Sequence, residues 1–208
     1  MTQAKQKIAV PEQATSFTKD YLGLKVRDKD DEYIGTISDM AIEMGDEFPM
    51  VSSVVVSVKV RVSLLGWAKF EAIIPWRMVK ACDGHEMKLR AAYSEIKPGK
   101  LGNGELLLKK NIMDQQIVDN EGKKLLRVND VRLKAMPENI RLVGVEVGIK
   151  GLLYRLGAGR RMERLAKMMN VKIMENIIMW DLVEQFDTEM QRIKLVISQE
   201  MLKDMMNI

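Results

Sequence analysis

One thiol and one imidazole, Cys82 and His85, are the chain's whole stock for nucleophilic cysteine or histidine chemistry. A Ser–His–Asp triad or a Cys/His zinc site needs several such groups converging from separate elements. Two of them three positions apart, in Ala-Cys-Asp-Gly-His, leave the thiol without a base and any metal short of ligands. The carboxylates come closest to a site. Asp28, Asp30, Asp31 and Glu32 form an oxygen-rich run that suits a hard cation. The run lacks the twelve-residue ligand spacing of a calcium hand, so a solvated turn is the expectation, and neither a metal nor a cofactor is assigned. Gly157-Ala-Gly-Arg-Arg161 has the look of a phosphate cradle but not the Lys-Ser/Thr ending of one. It reads as a flexible entry into a basic helix. No catalytic residue, small-molecule substrate or enzymatic activity is expected.

The helix itself has two distinct faces. From Arg160 to Met169, Met162, Leu165, Ala166 and Met169 keep the spacing of one helical face, with Arg160, Arg161, Arg164 and Lys167 on the other. The formal net charge of the chain is +4, and it falls entirely in the second half. A helix over about 159–170 is therefore a candidate contact element. It could pack on the body with its charges in water, dock a protein, or touch an anionic membrane surface or RNA. Trp67 and Phe70 are a second candidate docking surface. Methionine is abundant at 17 residues, and the pairs Met168-Met169 and Met205-Met206 suit adaptable contacts.

The elements carrying these residues recur. Asp28 falls on Asp119, Asp39 on Asp130, Val54 on Val145, Val56 on Val147 and Lys59 on Lys150, each 91 positions on. Beyond Gly66 and Gly157 the offset becomes 104, and Glu-Ala-Ile-Ile-Pro-Trp-Arg-Met-Val (71–79) lies over Glu-Asn-Ile-Ile-Met-Trp-Asp-Leu-Val (175–183). The second copy thus carries a 13-residue insertion, and the basic helix lies inside it. Val54, Val56, Val58, Val60 and Val62 alternate with other residues, the period of a strand with one wet face. Tyr33–Met44, Lys124–Ala135, the Ile-Ile-x-Trp segments, Glu86–Arg90 and Arg192–Ile197 also favour strand. Short strands and turns at near-regular spacing predict a small closed or half-closed barrel in each copy.

Leu-Gly-Leu-Lys-Val-Arg-Asp (22–28) followed by Tyr-Ile-Gly-Thr-Ile-Ser-Asp (33–39) resembles the opening of a PRC-barrel. Gln-Ile-Val-Asp-Asn-Glu-Gly (116–122) and Arg-Val-Asn-Asp-Val (127–131) resemble it again. Residues 143–157 and 177–183 are similar to the tandem PRC-barrel region that precedes intracellular domains of the MgtE magnesium-transporter type. The expected fold is mainly β: two tandem small PRC-type β-barrels with short helices, including the basic helix inserted in the second. The expected organisation is a flexible leader over 1–19, a first barrel over 20–96, a linker over 97–106 around Lys97–Gly104, a second barrel over 107–197 and a C-terminal helix over 198–208.

The resemblance implies a non-catalytic adaptor, scaffold or regulatory module acting through protein–protein contact, linked to a magnesium-transporter-type assembly. The alternative it implies is an RNA- or ribosome-associated accessory factor of the maturation-factor type. A protein partner is the first expectation, RNA or a ribosome the second, and an anionic membrane surface the weakest. One cysteine, no apolar stretch near the roughly 18 residues of a span and no secretory signal make the cytoplasm the expected compartment, with a membrane-peripheral position beside it.

Overall fold

The computed structural model describes residues 14–45, 48–61, 66–118, 125–147, 176–187 and 192–195, with Arg161, Arg164 and Met168. The first-half strands are β1 (Thr15–Ser16), β2 (Lys25–Arg27), β3 (Tyr33–Glu43), β4 (Met50–Arg61), β5 (Trp67–Pro75), β6 (Val79–Cys82) and β7 (Glu86–Leu89). Then come β8 (Glu105–Leu107), β9 (Gln116–Val118), β10 (Leu125–Arg127), β11 (Asp130–Ala135), β12 (Ile140–Glu146), β13 (Ile177–Met179), β14 (Val183–Asp187) and β15 (Arg192–Leu195). The helical elements with described bounds are short turns: α1 (Phe17–Asp20), 3-10 turns at Trp76–Met78, Tyr93–Glu95 and Trp180–Leu182, and a π-helical turn at Leu108–Ile112.

Strands β5, β4, β3 and β2 run antiparallel in that order; β7 joins β2 in parallel, and β6 closes against β7. The result is a curled, mainly β half-barrel. The same sheet continues into β12, which pairs with β4 at Arg141 and Met50, and on to β11 and β13. Strands β10, β9, β15 and β14 make a second, four-stranded sheet, with β9 and β15 parallel. One buried apolar cluster runs through both halves, from Phe17, Ile37, Met40 and Val54 to Val131, Leu133, Leu142 and Trp180.

Pairing registers recur along the chain. Met40 faces Val54, and 91 positions on Val131 faces Val145. Val54 faces Ile74, and Val145 faces Ile178. Lys25 faces Glu86 in parallel, and Gln116 faces Arg192 in parallel.

The structure departs from the sequence expectations in four places. The period-2 pattern predicts a wet face along β4, yet its middle is buried on both, with Val54 and Val55 at 0% and 2% exposure. Val55 is flanked in the sheet by its cross-strand neighbours Asp39 and Ile73. Trp76 and Trp180 open 3-10 turns instead of lying in strands. Part of the segment read as a flexible leader is built into the fold: Ser16 caps α1 by accepting the Lys19 N–H at 3.0 Å, and Phe17 is fully buried. At the other end, Glu105 and Leu106, read as linker, belong to β8 and pair with β3. The C-terminal helix expected over 198–208 lies outside the described residues.

Gly35 on β3 meets the tightest backbone approach in the sheet, since a Cβ there would sit 2.2 Å from the Ser57 carbonyl oxygen. Gly35→Ala should lower the unfolding free energy by about 1–3 kcal/mol. Gly99→Ala, whose Cβ would meet its nearest atom at an ordinary 3.7 Å, should stay within about 0.5 kcal/mol. Urea denaturation of the two variants checks this; equal stabilities would show that β3 shifts freely away from β4.

Candidate functional site

The last residues of β4 and the first of β5 leave the body as a two-stranded arm. Strand β3 follows β4 only as far as the Thr36–Ser57 pair, while β4 and β5 stay paired to Arg61 and Trp67. Pairing fixes the faces: Val58 opposite Phe70 and Val60 opposite Ala68 on one, and Lys59 opposite Lys69, with Trp67 two positions before Lys69, on the other. Trp67 is 68% exposed, Phe70 44% and Val60 42%. Lys59, Trp67, Ala68 and Lys69 line a shallow depression of about 490 Å³. Of the sequence candidates, Trp67 and Phe70 therefore lie together on one exposed arm. Arg161 and Arg164 have helical backbone and are exposed, as is Met168 at 80%. Arg160 and Lys167 lie outside the described residues.

The acidic run of the first half is a tied turn. The Asp28 carboxylate is buried and accepts N–H groups of Asp30 at 3.0 Å, Glu32 at 2.9 Å and Tyr93 at 3.1 Å. Burial pushes its carboxyl up, and the three donors outweigh it to hold the group below its ordinary value. Asp31 turns back through a left-handed φ of 67° and its carboxylate meets Lys88 at 3.1 Å. Among the described residues no group of three or more His, Cys, Asp or Glu side chains could hold a metal ion. Burial pushes the Cys82 thiol up, away from the thiolate a nucleophile needs. His85 sits exposed in the turn that the Asp83 carboxylate holds by accepting the His85 and Glu86 N–H groups, both at 2.9 Å.

Sequence reasoning missed the role of two buried carboxylates. Asp39 on β3 is 6% exposed and accepts the N–H groups of Lys109 at 2.8 Å and Lys110 at 3.2 Å, which open the π-helical turn after β8. Asp130 on β11 is 1% exposed and accepts the Thr18 N–H at 3.1 Å, the Thr18 hydroxyl at 2.9 Å and the Ser16 hydroxyl, at the start of α1. Each carboxylate thus holds a turn from the other half of the chain. Burial raises both carboxyls above their ordinary value, against the pull of those donors. The available signal was the Asp39–Asp130 identity at the repeat offset.

A second depression, of about 570 Å³, lies where the halves meet, lined among others by Glu43, Trp76, Arg77, Glu105 and Glu138. Its described lining includes no thiol or imidazole. The chain carries a PRC-barrel domain: residues 15–93 match that domain family. A search of curated proteins returned no match. Among the described residues no helix is long and apolar enough to cross a membrane.

A raised folded-state carboxyl takes up its proton earlier than the unfolded chain does, so the stabilisation from protonation is complete below the ordinary aspartate range and lost as pH rises through the raised value. As pH falls from neutral toward that range, the unchanged protein should gain stability relative to Asp39→Asn/Asp130→Asn. Urea midpoints of both proteins across that interval test it. A gap that stays constant, or moves the other way, would show that the donors outweigh burial.

Proposed function

We propose that the protein is a non-catalytic scaffold made of two copies of one PRC-type domain, each completing the other, which engages a protein partner through a surface of its second half. The observation that carries this reading is the reciprocal exchange of leading segments. In the first half β1 and α1 pair with and are capped by β11 of the second, through Thr15 opposite Leu133 and Thr18 on Asp130. Ninety-one positions on, β8 and its turn pair with and are capped by β3 of the first, through Leu106 opposite Ile42 and Lys109 on Asp39.

Further details support two copies. Gly23 and Asp114, also 91 apart, both take a left-handed φ, of 83° and 68°. Each gives its N–H to the equivalent carbonyl, Ile37 at 2.8 Å and Val128 at 2.9 Å. Met50 and Arg141, 91 apart again, face each other. A pseudo-two-fold axis through that pair accounts for all of these relations. Such a frame has one shared core, and the two halves hold each other at a fixed geometry, which suits a platform more than a pair of loosely tethered modules.

The partner surface we assign to the basic segment, where Arg161 and Arg164 are exposed and Arg160 and Lys167 adjoin them in sequence. A link to a magnesium-transporter-type assembly rests on the resemblance of residues 143–157 and 177–183 alone.

Immobilised full-length chain should capture a protein partner from cell extract, and Arg160→Glu/Arg161→Glu/Arg164→Glu should weaken capture about tenfold or more. Undiminished capture removes the segment as the docking surface. Salt-sensitive co-sedimentation with ribosomal particles in place of a protein would instead favour the RNA reading. The frame has its own test. Asp130→Ala should speed hydrogen exchange at Thr18, and Asp39→Ala at Lys109, each through loss of about 1–3 kcal/mol of local stability. Unchanged exchange at both amides would mean that the halves do not hold one another through these caps.

A further inference from the structure

We infer that the arm formed by the ends of β4 and β5 is a membrane-docking element, which takes an anionic lipid surface through Lys59 and Lys69 and buries Trp67, Val60 and Phe70 in its interfacial layer. The inference goes beyond the scaffold reading, does not depend on the halves being copies, and concerns a different surface from the basic segment.

The charge pattern of the arm comes first. Lys59 stands directly opposite Lys69, both exposed. Like charges opposite one another across a strand pair weaken it, and a two-stranded ribbon has little stability to spare. Between Val58 and Phe70 the sequence holds three cations, Lys59, Arg61 and Lys69, and no acidic residue. The one acid on that face, Glu71 at the base of the arm opposite Ser57, accepts the Ser38 hydroxyl at 3.2 Å and leaves the cations in excess, an excess that a surface of anionic headgroups would offset.

The apolar groups select the kind of anion. Among the large hydrophobic side chains exposed among the described residues, Trp67, Phe70 and Val60 all belong to this arm. They lie on both of its faces, Val60 and Phe70 on one and Trp67 on the other. The residues linking the two strands read Val-Ser-Leu-Leu-Gly, apolar again by sequence. A nucleic acid stacked on Trp67 would neutralise the lysines but leave Val60 and Phe70 in water on the far face. A bilayer interface accepts apolar groups all round an inserted arm. Indole favours that depth, and lysine stems can run along the apolar surface while their ammonium groups stay with the headgroups. The depression between Lys59, Trp67 and Lys69 is then where a headgroup would sit.

The test is co-sedimentation of the full chain with phosphatidylcholine vesicles, with and without roughly a third phosphatidylglycerol. Binding to the anionic vesicles is expected, weakening as salt rises, with none to the neutral ones. Lys59→Glu/Lys69→Glu should lower partitioning about tenfold or more, and Trp67→Ala severalfold. Arg161→Glu/Arg164→Glu should leave it within about twofold. The arm substitutions sit on exposed positions, and circular dichroism and urea midpoints would verify that the variants remain folded. No vesicle binding at low salt overturns the inference. So does binding that survives the arm variants and is lost with the arginines, which would move the contact to the basic segment. Single-stranded RNA bound through the same lysines, with vesicles ignored, would assign the arm to nucleic acid instead. Partner capture that persists while vesicle binding fails would sink this inference alone and leave the scaffold reading standing.

Discussion

Two buried carboxylates hold the halves of this protein to each other. Asp39 on β3 and Asp130 on β11 lie in one continuous sheet with β4 and β12 between them, and each accepts N–H or hydroxyl donors from a turn that the other half supplies. A carboxylate taken out of water is costly unless its oxygens are satisfied, and the first turn of a helix has N–H groups with no internal partner. Each deficit offsets the other. Without the exchanged turn the carboxylate is a buried charge with too few donors. Without the carboxylate the turn lacks its cap, and the strand leading into it loses its anchor on the sheet. Phe17 shows how far the consequence reaches: it is fully buried because its segment is fastened on both sides, by β1 on β11 and by Thr18 on Asp130.

Positions 91 apart share a backbone register without always sharing side chains. Arg132 and Glu146 form a buried ion pair at 2.6 Å in the second half. At the corresponding positions of the first half stand Ala41 and Val55, both buried and apolar. The same backbone register thus carries an ion pair in one half and plain packing in the other, and a buried pair of this kind adds little net stability over an apolar one. What it contributes is distinction: Arg132 pairs with Glu146 across β11 and β12 and lies opposite Ser16 on β1. That gives the junction receiving α1 a buried ion pair where Ala41 and Val55 stand at the junction receiving the π-helical turn. Two interchangeable junctions would let either leading segment settle in either place, and unequal ones discourage it.

How much of this was legible in the sequence depends on what each feature rests on. The alternation of Val54, Val56 and Val58 and its echo at Val145 and Val147 is local periodicity, so strands were readable, and Asp39 over Asp130 marked corresponding places. Which strand pairs with which is not a local property. Periodicity leads to two self-contained barrels, and nothing in it says that Thr15 belongs opposite Leu133, 118 positions away. The same limit hid the cap on α1, because Thr18 and Asp130 carry no shared pattern. Trp76 and Trp180 match each other as positions, yet periodicity places them in strands, since a 3-10 turn of three residues leaves no periodic trace.

The arm is the reverse case, readable as an anomaly and given meaning by geometry. In sequence, Trp67 and Phe70 stand out only by lacking aromatic partners in the other half. In the structure they lie beyond the last residue of β4 that β3 supports, beside two lysines set face to face. In the central strands local preference and packing agree: β-branched residues fill β4, and the Asp39 and Asp130 carboxylates have donors. On the arm they disagree, because an exposed indole and opposed like charges both lower the stability of the isolated ribbon. A fold otherwise this consistent tolerates such a conflict where something outside the chain resolves it. The conflict has two components, a charge of one sign and an apolar surface on both faces. A surface that is anionic outside and apolar beneath would answer both at once.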